Sequence, residues 1–176
     1  MNRVSLLVLT GLTMLPSLAF AELNVTVNPT KKSGPKCYSA AEAEADQGIR
    51  IHSELMVIGL NCNHMGKRHG QPLYSMYREF TAKHGKIFAG YESMLIDFFK
   101  ANGDPNPVAS LNTLRTIFAN KISNDAAGLR PDIFCSRYAP RILKAAEMSE
   151  ADVRKWAATI YTSHPVSHPV CAASGK

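Results

Sequence analysis

Leu73 to Phe99 reads LYSMYREFTAKHGKIFAGYESMLIDFF, and its apolar and ring-bearing side chains recur at Leu73, Tyr77, Phe80, His84, Ile87, Tyr91, Met94 and Phe98. The steps alternate four and three throughout, which is the spacing of one face of an α-helix. Met76, Phe88, Leu95 and Phe99 broaden that face. The pattern predicts one helix of about 28 residues, near 42 Å long at about 1.5 Å per residue. Gly85 and Gly90 are places where it can bend, and Asn102-Gly103-Asp104-Pro105 is a strong stop. A stripe this wide serves a hydrophobic core or a homo-oligomer equally well.

The segments around it repeat the helical pattern. Upstream, Ser39 to Leu60 predicts a first helix, with Ile51, Leu55, Ile58 and Cys62 on one face. Glu42, Glu44 and Asp46 sit near its start, where carboxylates suit the helix dipole. Gly48 weakens it by about 1 kcal/mol relative to alanine. Asn61 to Pro72 reads as a polar loop. Downstream, a helix follows Pro107 and stops before Gly128, carrying Val108, Leu111, Leu114, Ile117, Phe118 and Ile122. Pro131 opens the next as a first-turn proline. Pro140 lies inside that pattern and is expected to kink or split it. Ser149-x-x-Asp152 resembles a capping box and begins a fifth helix, with Val153, Trp156, Ala157 and Ile160 as its apolar face. The prolines of His164-Pro165-Val166-Ser167-His168-Pro169 forbid a helix in the tail. The expected fold class is all-α: a single bundle of about five helices, stapled by two disulfides.

The start of the chain bears on compartment. Arg3 is followed by an almost wholly apolar run, Val4 to Leu15, and then by Ala19-Phe20-Ala21. Charged start, apolar centre and small residues at a cleavage site make a secretory signal peptide over residues 1–21. The run is shorter than the roughly 20 residues of a spanning helix, and no later run is long enough. Residues 22–36 read as a flexible N-terminal arm, and 37–176 as the helical domain. Removing the leader takes one base, Arg3, and no acid, leaving 19 bases against 14 acids. That modest excess favours an anionic ligand or another envelope protein as partner. It is not the basic stripe of a nucleic-acid binder. A periplasmic or secreted location follows.

The even count of cysteines, Cys37, Cys62, Cys135 and Cys171, reads as a disulfide framework with three connectivities. Cys37 and Cys62 flank the first helix and would lie roughly 35 Å apart if it is continuous. A disulfide needs α-carbons about 5.5 Å apart. Cys62–Cys135 with Cys37–Cys171 is preferred over Cys37–Cys135 with Cys62–Cys171, because Cys62 continues the face that must meet the core.

Candidate chemistry is sparse. His164-x3-His168-x2-Cys171 has a metal-like look, and His64 could add a ligand. A Pro-rich tail pinned by a disulfide is the plainer reading, so no metal and no cofactor is assigned. Glu92-Ser93 resembles the catalytic Glu-Ser of lytic transglycosylases, which implies a cell-wall substrate, but that family's Gly-Leu-Met-Gln segment is missing. No G-x-S-x-G, H-E-x-x-H, P-loop or dinucleotide fingerprint occurs. Catalytic residues are therefore unknown. Basic residues gather at Lys67 and Arg68, and at Arg137, Arg141 and Lys144, which share a helical face if Pro140 allows it. These form the candidate anion- or partner-binding surface.

The general build is similar to small exported helical proteins, such as acid-stress chaperones and the periplasmic immunity proteins that block secreted amidases. The terminal Pro169-Val170-Cys171 carries the second likeness. The leading expectation is an exported binding, inhibitory or stress-related module that acts through its surface, without a buried ionisable cluster. A metal, haem or small-ligand binder and a cell-envelope enzyme are the alternatives.

Overall fold

The computed structural model describes residues 37–68 and 70–172, with the backbone alone for 66–68. The expected signal peptide and N-terminal arm therefore lie outside the described residues. The described chain forms six α-helices: α1 (Ala40–Asn61), α2 (Leu73–Lys83), α3 (Gly85–Ala101), α4 (Pro107–Gly128), α5 (Pro131–Glu147) and α6 (Glu150–Ala157). It is an all-α bundle.

Three of the helices, α1, α4 and α6, start where a side chain satisfies an unpaired amide. The Ser39 side chain accepts from the Glu42 amide, and the Glu42 carboxylate accepts from the Ser39 amide at 2.7 Å, which completes a capping box. Ser149 and Asp152 repeat that arrangement at α6. Asn106 caps α4 by accepting from the Ala109 amide, with Pro107 in the first turn.

Four expectations are corrected. The long helix from Leu73 is two helices, because the chain turns at His84. The His84 ring is buried and its Nε2 lies 3.2 Å from the Met148 carbonyl, while Gly85 beside it has low helix propensity. The stripe survives the break, since Leu73, Tyr77, Phe80, Ile87, Tyr91 and Phe98 are all buried. Pro140 does not split α5, which runs unbroken from Pro131 to Glu147. The expected loop after α1 contains a 3-10 turn over Asn63–Arg68. Ile160 falls beyond the end of α6 and is exposed.

The centre of the bundle is α1, which touches each of the other five helices. Its residues are buried nearly all round, not on one stripe. Gly48 has a packing role that its propensity hides: a Cβ there would overlap the Tyr91 ring. Cys62–Cys135 joins the end of α1 to α5, with α-carbons 5.5 Å apart. Cys37–Cys171 joins its start to the tail, with α-carbons 5.0 Å apart. This is the preferred pairing. None of the described helices is long and apolar enough to cross a membrane.

Candidate functional site

One row of α1 is polar and buried: Asp46, Gln47, Arg50 and Glu54, spaced to share a face. Burying four such groups is costly unless each finds a partner. The tail supplies most of them. Gln47 donates through Nε2 to the His164 carbonyl at 2.6 Å, and Arg50 donates to the Pro165 carbonyl. Asp46 accepts from the Ser167 amide at 3.3 Å and from the Ser167 hydroxyl. Lys121 of α4 donates to the Ser163 carbonyl at 2.7 Å. Pro165 and Pro169 have no N–H of their own, so this segment cannot join a regular ladder. It is held instead by donors and acceptors from the helices. Further along, the Tyr38 amide donates to the Pro169 carbonyl at 2.7 Å and the Cys171 amide to the Tyr38 carbonyl at 2.8 Å.

Where the tail leaves α1 uncovered, a cleft of about 730 Å³ opens between α1, α5, α6 and residues 159–164. Arg50, Ile51 and Glu54 line it from α1, Arg141, Lys144 and Glu147 from α5, Lys155 and Trp156 from α6, and Tyr161 and His164 from the tail. Glu54 is its most enclosed carboxylate, with a side chain 7% exposed. One oxygen accepts from Arg141 Nη1 at 3.0 Å. The other lies 3.9 Å from His164 Nε2, too long for a hydrogen bond. Burial pushes the Glu54 carboxyl above its ordinary value, with Arg141, Arg50 and Lys121 opposing. Burial pushes the His164 imidazole below its ordinary value, and Lys121, Arg141 and Arg50 push the same way. The Arg50 guanidinium lies 4.0 Å over the Phe118 ring. Its buried Nε has no hydrogen-bond partner among the described residues. That N–H is closed off from solvent, so it is an unmet donor inside the wall of the cleft and not on its surface.

No family model, no curated protein and no solved structure matches this chain.

The expected binding residues separate. Arg141 and Lys144 line the cleft, because α5 continues through Pro140. Arg137 is exposed, with its guanidinium 5.5 Å over the Tyr138 ring. Lys67 and Arg68 end the 3-10 turn, and their side chains lie outside the described residues. The metal-like trio is dispersed: His164 faces Glu54, His168 lies tilted with its ring 4.8 Å from the Tyr38 ring, and Cys171 is oxidised. His64 is exposed. No group of three or more His, Cys, Asp or Glu among the described residues is placed to hold a metal ion. Glu92 is a partly exposed side chain paired with Arg115, and it does not line the cleft.

Asp46, Gln47, Arg50 and Glu54 were not singled out from the sequence as site residues. The signal for Asp46, Arg50 and Glu54 was present as charges at steps of four on a helix that also carries an apolar face. Such a row ordinarily faces water. The expectation of no buried ionisable cluster is overturned, since Asp46, Arg50 and Glu54 are all buried.

Proposed function

We propose that this chain is an exported binding module that holds an anionic group, carried by a ligand or an envelope partner, in the cleft between α1, α5, α6 and the tail. The observation that carries this reading is the set of cations on one cleft: Arg141, Lys144 and Lys155 line it, with the buried Arg50 in its wall. Guanidinium groups suit carboxylates and oxyanions because their N–H donors are fixed in a fork. The Trp156 and Tyr161 rings on the same cleft offer apolar surface to the rest of the ligand. Both disulfides support an oxidising compartment, in keeping with the charged, apolar and small-residue pattern of residues 1–21.

The test is a sulfate titration of the protein purified from its native host, followed by amide and guanidinium NMR. Shifts centred on Arg50, Arg141 and Lys144, weakened by Arg141→Gln, are expected. Absence of any saturable shift overturns the reading. Mass spectrometry of the same material should find Glu22 as the first residue, and an intact leader would remove the exported compartment.

A cell-envelope enzyme is the second reading, favoured by Glu54. A desolvated carboxyl beside an imidazole is an acid–base arrangement. It requires turnover of an envelope substrate that Glu54→Gln abolishes.

A further inference from the structure

Glu54 occupies the cleft as an internal anion. Its carboxylate sits on Arg141 at 3.0 Å, the position an incoming oxyanion would take. Four cationic side chains line the cleft, Arg50, Arg141, Lys144 and Lys155, against three carboxylates, Glu54, Glu147 and Asp152. At neutral pH the excess is small, and the best-placed cation is already paired. His164 stands at the same spot, 3.9 Å from Glu54, and carries no fixed charge.

We infer that the cleft is an acid-strengthened oxyanion site, in which a sulfate-like or carboxylate group replaces the Glu54 carboxylate on Arg141 and lies beside His164. This rests on the binding reading above and adds its control by protons.

Two proton uptakes act in one direction. Protonating Glu54 removes the competing charge and frees Arg141. Protonating His164 adds a cation. Together they change the lining to five cationic groups against two carboxylates. The groups facing His164 are Glu54 and Arg50 from α1, Lys121 and Asp125 from α4, and Arg141 from α5. Those acting on Glu54 are Arg141, Arg50 and Lys121, with His164 beside it. Burial, with Lys121, Arg141 and Arg50 acting the same way, holds the His164 proton off below the ordinary 6.5, and burial lets Glu54 take one above the ordinary 4.5. The two titrations thus move toward each other. An anion bound there stabilises both protonated forms, so anion and proton uptake are coupled and reciprocal. Asp152 does not join them, because its bonds to Ser149 hold its carboxyl below the usual range.

Sulfate is the probe, since its charge is constant across the range. Calorimetric titration at about pH 7.5 and about pH 5 should show affinity rising on the order of tenfold, about 1.4 kcal/mol. In Glu54→Gln the affinity at the higher pH should rise toward the acid value, and the slope with pH should flatten. Adding His164→Asn to Glu54→Gln should remove the remaining slope while leaving Arg141 free to bind. Thermal melts of both variants establish that they are folded. Equal affinity at both pH values, or an unchanged slope in folded Glu54→Gln, overturns the inference while the binding reading stands. No sulfate binding at either pH overturns both.

Discussion

Asp46 and Ser167 lie 121 residues apart in the chain, yet the Asp46 carboxylate takes both the amide and the hydroxyl of Ser167. Tyr38 completes the knot, its hydroxyl 3.3 Å from the same carboxylate and 2.9 Å from Ser167 Oγ. The carboxylate is fully buried, so burial raises its proton affinity and the Ser167 bonds offset part of that rise.

Asp46→Ala leaves the Ser167 amide without its acceptor and takes one from the Ser167 and Tyr38 hydroxyls, which keep each other. An unmade buried hydrogen bond costs about 1–3 kcal/mol, so a loss of about 2–4 kcal/mol is expected in urea unfolding. Ser167→Ala removes one hydroxyl but keeps the amide bond and the Tyr38 bond to Asp46, so it should cost about 1 kcal/mol. A loss in Asp46→Ala no greater than that in Ser167→Ala would show that the carboxylate does not organise the tail.

The two disulfides differ in access. Cys62 and Cys135 are fully buried, whereas Cys37 and Cys171 are partly exposed. Exchange requires a thiolate to reach a sulfur. Mild reduction followed by alkylation should therefore label Cys37 and Cys171 first, with Cys62–Cys135 retained, as read by peptide mass spectrometry. Replacing either pair by serine should cost about 4–5 kcal/mol through loop entropy.

Two helical glycines should respond in opposite directions. Gly48→Ala drives a methyl into the Tyr91 ring, and overpacking of this kind costs about 1–3 kcal/mol. Gly90→Ala meets nothing within 4 Å and is exposed, so it should gain about 1 kcal/mol from helix propensity. Thermal melts of the two variants give the comparison.

His52 sets an acid limit. Burial lowers its proton affinity below the ordinary 6.5, with Arg115 acting the same way and Glu92 opposing. The unfolded chain then binds the proton more readily than the fold does. Its contribution is complete above about pH 6.5 and is lost as the pH falls through the lower, folded value. NMR titration should place the His52 midpoint below 6.5. His52→Phe keeps a ring against Tyr77 and Phe88, so its stability should fall less on acidification than that of the unaltered chain.

Periodicity and capping carried most of the fold. The four-and-three spacing from Leu73 located the buried face of α2 and α3 even across the turn at His84. Ser149 announced α6, and the length of α1 argued against Cys37–Cys62. The candidate site was less legible. Arg141 and Lys144 were legible as cations on one face, but Asp46, Gln47, Arg50 and Glu54 were not. A helical repeat says which residues share a face, and it is silent about what lies over that face. Here the cover comes from a Pro-rich segment more than a hundred residues later, whose carbonyls have no partners in their own backbone.

The outer disulfide also sets how the molecule survives a protease. Cys37 and Cys171 enclose nearly all of the described chain. A single cut anywhere between them, including the exposed turn at Gly103, leaves two fragments in one covalent body. Nicked and intact molecules would then run alike on an unreduced gel and separate only after thiol treatment.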